Sequence, residues 1–417
     1  MSHIIKIYSL LIGSALLMFG GGLQGLVLSV RGAEEHFSLL ALGLIGTGWS
    51  VGFVAGSITV PMLVKRVGHI RAYSVMAAIG TITILLNLLI INDVAWILLR
   101  ALSGYCFAGA AMIVESWLNE VTDNKSRGTI FSLYSAINMA SSTLGQLAMS
   151  VTGVIGFLPF VIGAISFICA LLPTALTSKP QPRPLKSARL DLKLLYRTSP
   201  VAAIAAFSVG MANGTFGTLA PVYGYSQHMD AAGISYLMCV TIIAGAISQI
   251  PAGRLSDRMD RRKVIVGLAG AAAVIGLLLV VLDPQGGWAL YLLFGIYGLC
   301  AYPLYGVAVA HANDSAKDGD FAKISSAMLL IMGVGLAIGP AIAPMLMNTI
   351  KPVAMFIVTV AFHGALAIST FLRMRIRPQA RVRRARFWPM FGDKSQTPEV
   401  VTLDPRAEER PGTQEAL

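Results

Sequence analysis

Charged side chains make up only 12% of the 417 residues, against roughly 25% in soluble domains. With 55% apolar residues and a mean hydropathy of +0.71, that shortage excludes an ordinary water-soluble globule. Cysteine is rare as well. The four present, Cys106, Cys169, Cys239 and Cys300, lie inside apolar runs without metal-ligand spacing, so they read as small packing residues. There is no Gly-x-Ser-x-Gly elbow, no metal-spaced histidine set, no carboxylate pair within an apolar run and no phosphate-cradling glycine loop. These lacks argue against an enzyme, a bound cofactor or direct use of ATP. Basic residues exceed acidic ones, 32 to 20. They sit in short loops and one tail rather than on a folded face, so nucleic acid is not an expected partner.

What the chain has is apolar runs of about 20 residues, the length needed to cross a bilayer. The runs are 7–29, 39–64, 72–91, 94–117, 128–151, 156–177, 200–223, 233–253, 264–282, 289–310, 325–348 and 352–372. The fold class is therefore an all-α membrane protein of twelve transmembrane helices. Gly128 to Ser178 holds no charge and is too long for one crossing, so Gly153, Gly156 and Pro159 mark a hairpin turn inside it. The first run has only Lys6 ahead of it and no clean cleavage site, which predicts an uncleaved span. Of the 32 basic residues, all but Arg31, Lys351 and Arg100 fall in one alternating set of loops, the amino terminus and the tail. By the positive-inside rule both termini are cytoplasmic, and the expected location is a bacterial inner membrane.

Residues 178–199, with six basic residues and three prolines, form a cytoplasmic linker between two six-helix halves, 1–177 and 200–372. The tail, 373–417, starts with seven arginines from Arg373 to Arg386. It is expected to anchor on anionic lipid and then to be disordered. The halves repeat faintly. Gly253-Arg-Leu-Ser-Asp-Arg aligns with Pro61-Met-Leu-Val-Lys-Arg at a shift of 192 residues, and Leu144-Gly145-Gln146 with Ile338-Gly339-Pro340 at 194. Weak internal symmetry is what repeat-built transporters show.

The most informative stretch is Gly253 to Lys263, GRLSDRMDRRK, lying between two spans. Five basic residues in eleven predict a tight, wet turn. The order Gly253, Asp257, Arg258, Arg261, Arg262 resembles the cytoplasmic loop motif of the Major Facilitator Superfamily, with Asp260 where the family usually has glycine. The loop between spans two and three matches the motif at Arg66, Gly68 and Arg71, but Lys65 replaces the acid. The resemblance implies that this acid latches the loop to the other half, a role left to Asp257. Arg100-Ala-Leu-Ser-Gly104 is similar to the superfamily's pattern in the fourth helix. Glu120 followed by Arg127-Gly128 is similar to its element in the fourth loop. Residues 114–119 with 126–128 look most like the YcaD-like bacterial transporters. Gly145-Gln146 stands where many drug antiporters of the superfamily have Gly-Pro.

In that family spans one, four, seven and ten line the central path. The resemblance therefore implies a substrate cavity drawing on Gln24, Arg100, Gly104, Asn213, Tyr297, Tyr302 and Tyr305. Arg100 is the one cation inside a span and needs a polar cavity or a partner, unless it snorkels to the outer interface. Glu115, the one carboxylate inside a span, either pairs with Arg66 or Arg71 or serves as a proton-coupling acid. Asn138, Gln146, Gln249 and His363 read as interhelical hydrogen-bond partners. The resulting expectation is a monomeric, proton-coupled secondary transporter of a small molecule working by alternating access. Its rival is a sensor or scaffold of the same fold without net flux.

Overall fold

A computed structural model describes residues 2–122, 127–172, 191–316 and 320–376, together with Phe387 and Thr397. Most of the predicted linker and tail lie outside the described residues. The helices are α1 (Ser2–Glu34), α2 (Leu39–Val67), α3 (His69–Leu89), α4 (Asp93–Val121), α5 (Arg127–Thr152), α6 (Leu158–Cys169), α7 (Leu192–Thr198), α8 (Pro200–Ser226), α9 (Ala231–Arg258), α10 (Arg261–Leu282), α11 (Gly287–Ala301), α12 (Pro303–Asp314), α13 (Phe321–Thr349) and α14 (Met355–Ile376). Many begin where a polar side chain can accept from the first free N–H groups. Ser38 caps α2, Asn92 α4, Asp191 α7, Ser199 α8, Asp230 α9 and Asp260 α10.

Ten segments are long and apolar enough to cross a membrane among the described residues, with α11 and α12 counted as one. The two remaining spans of the twelve are α5 and α6. Helix α5 is diluted by Ser135, Asn138, Ser142, Thr143 and Gln146. Helix α6 has only twelve described residues. Gly153 and Gly156 form the predicted turn at φ of 70° and 93°, a region open to glycine without a Cβ penalty, whereas Pro159 sits in the first turn of α6. The predicted tenth span is split between Ala301 and Pro303, because proline has no N–H to continue the ladder.

Helix packing repeats. In the first set α1 packs on α5 and α6, α2 on α4, and α3 on α4 and α6. In the second, α8 packs on α13 and α14, α9 on α11 and α12, and α10 on α11, α12 and α14. Small residues allow the closest approaches. Gly48, Gly52 and Gly56 form one stripe on α2, set against the Ile97, Ala101 and Tyr105 carbonyls of α4. Without water inside the bilayer, such backbone contact is a principal source of helix association. The outer surface is apolar, with Leu89, Val151 and Val281 each at least 70% exposed, as a lipid-facing belt requires.

The two sets meet through α2 and α13, α5 and α9, and α1 and α8. The contacts cluster toward the end opposite the basic loops. There Thr47 donates to the Ala337 carbonyl at 2.6 Å and Ser50 to the Leu336 carbonyl at 3.2 Å, and Gly43 faces Pro340 and Pro344.

Candidate functional site

Between the two sets lies a cavity of about 160 Å³. Arg100 projects into it from α4 and is the one charged residue in its lining. Its guanidinium does not snorkel outward: the residue is 6% exposed. It donates to Gln24 Oε1 at 2.8 Å and lies 5.7 Å from the centre of the Trp49 ring, within cation–π range. Ser103 donates to the same Gln24 oxygen at 3.0 Å, so α1 and α4 hold one another through a single amide. Trp49 stacks on Phe53 at 5.0 Å and tilts against Phe107 at 5.6 Å, which fixes the aromatic wall under the guanidinium.

Asn213 of α8 and Tyr302, at the break between α11 and α12, line the opposite side. Three of the expected cavity residues, Arg100, Asn213 and Tyr302, are thus brought together, with Gln24 hydrogen-bonded to Arg100 at the edge of the lining. The other three sit elsewhere. Gly104 is packed against the Trp49 carbonyl. Tyr297 is stacked on Phe216 at 5.1 Å. Tyr305 is fully buried and absent from the lining. Their places on a cavity-lining span did not settle which face they occupy.

The cavity also takes residues that the sequence did not single out, including Trp49 of α2, Ser142 and Thr143 of α5 and Met238 of α9. Gln146, expected as an interhelical partner, lines the cavity instead and its Oε1 is buried without a partner among the described residues. The polar face of α5 was the available signal. Asn138 does bridge helices, accepting from Ser14 at 2.7 Å, and Gln249 reaches the Tyr302 carbonyl at 3.5 Å. His363 is buried and meets Tyr297 edge-on.

At the basic end the loop motifs divide. Gly68 joins α2 to α3 at φ 84°, which explains a glycine there, while Lys65, Arg66 and Arg71 are exposed. The Gly253–Lys263 stretch is not a wet turn. Helix α9 runs through Gly253 and Asp257 to Arg258, only Met259 and Asp260 turn, and Arg261 and Arg262 are buried. Burial is possible because both are paired. Arg261 binds Asp314 through Nε at 2.6 Å and Nη2 at 3.3 Å, Asp257 at 3.1 Å and Ser256 at 3.0 Å. Arg262 forks onto Asp260 at 2.8 and 3.2 Å. Burial alone would raise the Asp260 carboxyl, but the Arg262 hydrogen bonds and charge more than reverse this and hold it below the usual carboxylate range. Arg258 stays exposed.

Asp257 also accepts the backbone N–H of Phe387 at 3.1 Å, and the Phe387 ring covers Gly253. Phe387 of the tail therefore docks on protein, where a lipid anchor and disorder were expected. Glu115 corrects a second expectation. It is fully buried and accepts from Tyr134 of α5 at 2.8 Å and from Thr397, and neither Arg66 nor Arg71 pairs with it. It points toward Tyr134 of α5, whereas those arginines are exposed. Glu120 is exposed, and the Arg127 and Gly128 side chains lie outside the described residues. No group of three or more metal-binding side chains occurs among the described residues.

A family model described as the Major Facilitator Superfamily matches residues 10–237 and, again, 202–398. The chain is 26% identical over 355 residues to the MFS-type transporter YcaD of Escherichia fergusonii, covering 84% of this chain and 91% of that one. It is 26% identical over 328 residues to YcaD of Shigella flexneri, covering 78% and 84%. Among solved structures it resembles the nucleoside transporter NupG, with a TM-score of 0.72 at 15% identity, over 90% of this chain and 100% of that one. It also resembles a bacterial homologue of the lysosomal transporter Spinster, inward-facing and unoccupied, with a TM-score of 0.71 at 14% identity, over 89% and 97%. At such identities the structural likeness speaks for the fold alone. The family match, the repeated helix packing and the enclosed cavity converge: this chain belongs to the Major Facilitator Superfamily and is a YcaD-like multi-pass membrane transporter.

Proposed function

We propose that this protein is a secondary transporter that carries a small organic solute across a bacterial inner membrane by alternating access. The observation that carries the reading is the cavity between two similarly packed helix sets, sealed toward one end by α2 on α13. A binding site enclosed by two repeats is the arrangement that rocking motion exposes to each side in turn. Residues 1–177 and 200–372 are the moving halves, and the cavity alternates between the basic end and the end sealed by α2 and α13. That end faces the cytoplasm with both termini, since anionic lipid and the positive-inside rule favour it there. The unit of transport is the monomer. Coupling to protons is supported by Glu115, the one fully buried carboxylate among the described residues.

The test is uptake of labelled solutes into proteoliposomes under an imposed pH gradient. Accumulation that follows the gradient is expected and is lost in Glu115→Gln. Binding without flux across the whole solute panel would make the protein a sensor and overturn the proposal.

A further inference from the structure

We propose that the solute is an organic anion, a carboxylate or a group of like geometry, seated on Arg100 and the Gln24 amide with its apolar body against Trp49 and Phe107. The inference rests on the reading of this cavity as the substrate site. It begins with an imbalance of charge. The guanidinium has five N–H donors. Among the described residues it makes one hydrogen bond, to Gln24, and no carboxylate pairs with it. The cavity lining contains no acid. A desolvated cation without a counter-charge is strongly unfavourable, and an anionic ligand supplies that charge only when bound.

Gln24 gives the second, independent sign. Its Oε1 accepts from both Arg100 and Ser103. Turning the amide over would set NH₂ against two donors, so the orientation is fixed by its partners. The Nε2 group that remains is buried and has no partner among the described residues, and the residue is 4% exposed. One ion–dipole pair thus leaves guanidinium and amide N–H groups free side by side, a donor set that matches the two oxygens of a carboxylate. The Trp49 ring holds the guanidinium from a third direction. Trp49, Phe107 and Leu336 make the neighbouring wall apolar, which suits a hydrocarbon or aromatic body and disfavours a small hydrated ion.

The experiment measures thermal protection of the purified full chain by matched probes: benzoate and hexanoate, their neutral amides, the corresponding primary amines, and inorganic phosphate and chloride. The carboxylates should raise the melting temperature at millimolar concentration, and the amides and amines should not. Arg100→Gln should weaken carboxylate binding roughly tenfold or more, as loss of a charged hydrogen-bond partner does. Gln24→Glu guards against a folding defect in that variant. It places a built-in counter-charge on Arg100, so it should raise stability and abolish carboxylate protection together. Protection by phosphate or chloride alone would make this an inorganic-anion site and overturn the organic body. Equal protection by the amides or amines, no protection by any carboxylate, or unchanged carboxylate binding in Gln24→Glu would overturn the proposal outright. Flux separates the two readings. Carboxylates that bind and are not moved sink the transporter reading alone, whereas solutes moved normally by Gln24→Glu sink the anion site alone.

Discussion

Replacing Asp314 with asparagine removes the strongest arm of a buried clamp. Arg261 opens α10 with its side chain 1% exposed, and Asp314, 11% exposed, closes α12. The two form a forked pair at 2.6 and 3.3 Å. Losing one partner of a buried pair costs about 3–5 kcal/mol, mostly because the remaining charge is stranded. Here Asp257 stays at 3.1 Å, although a third exposed, and Ser256 stays at 3.0 Å. The lower end, about 3 kcal/mol, is therefore expected. Equilibrium unfolding in mixed micelles would measure it. The double variant Arg261→Met/Asp314→Leu should recover most of the loss, since an apolar pair carries no desolvation cost. A single-variant loss within about 0.5 kcal/mol, the ordinary scatter of surface changes, would show that Asp314 is not the counter-ion that makes burial of Arg261 possible.

Three further outcomes follow from the packing. In the α2–α4 stripe, Gly52→Ala puts a methyl group on the Ala101 carbonyl and should destabilise by about 1–3 kcal/mol or more. Gly267→Ala, with open space around it, should gain about 0.5–1 kcal/mol, and similar melting temperatures for the two would refute the stripe. Gly253→Ala drives a methyl group into the Phe387 ring, so it should lower the melting temperature of the full chain and have no such effect in a chain ending at Ile376. Asp260 carries a lowered folded-state pKa. Its contribution should be complete above the unfolded value of about 3.9, fade as pH falls through the lower folded value, and vanish in Asp260→Asn, as stability against pH would record.

The membrane spans and the family were legible because they depend on run length and on short loop motifs, which a one-dimensional pattern carries directly. Side-chain facing was not. Tyr297 and Tyr305 lie on the cavity span but turn into packing, while Gln146 reaches the cavity from α5. In a helix apolar on every side, no moment separates the lipid face from the core face. The buried arginines at the start of α10 were misread as solvated for a related reason. The pairing of Arg261 depends on Asp314, about fifty positions away, and local composition cannot express that.

The repeat could have located Asp314. At the 194-residue shift that carries Gly145 onto Gly339, Glu120 falls on Asp314. The same shift shows where the halves part company. Arg100 falls on Phe294, which is fully buried among Phe216, Tyr223 and Phe356, and Gln24 falls on Thr218, a neutral residue of the cavity wall. Close backbone packing demands a small residue at some matching places, so Gly104 and Gly145 fall on Gly298 and Gly339 at this shift. Charge recognition has no such demand, and one cation suffices for one anionic group; a second arginine at position 294 would add another desolvation cost without a second ligand charge to offset it. The scaffold is therefore twofold while the charged centre is single, and in the proposed anion site the ligand's charge leans on the first half.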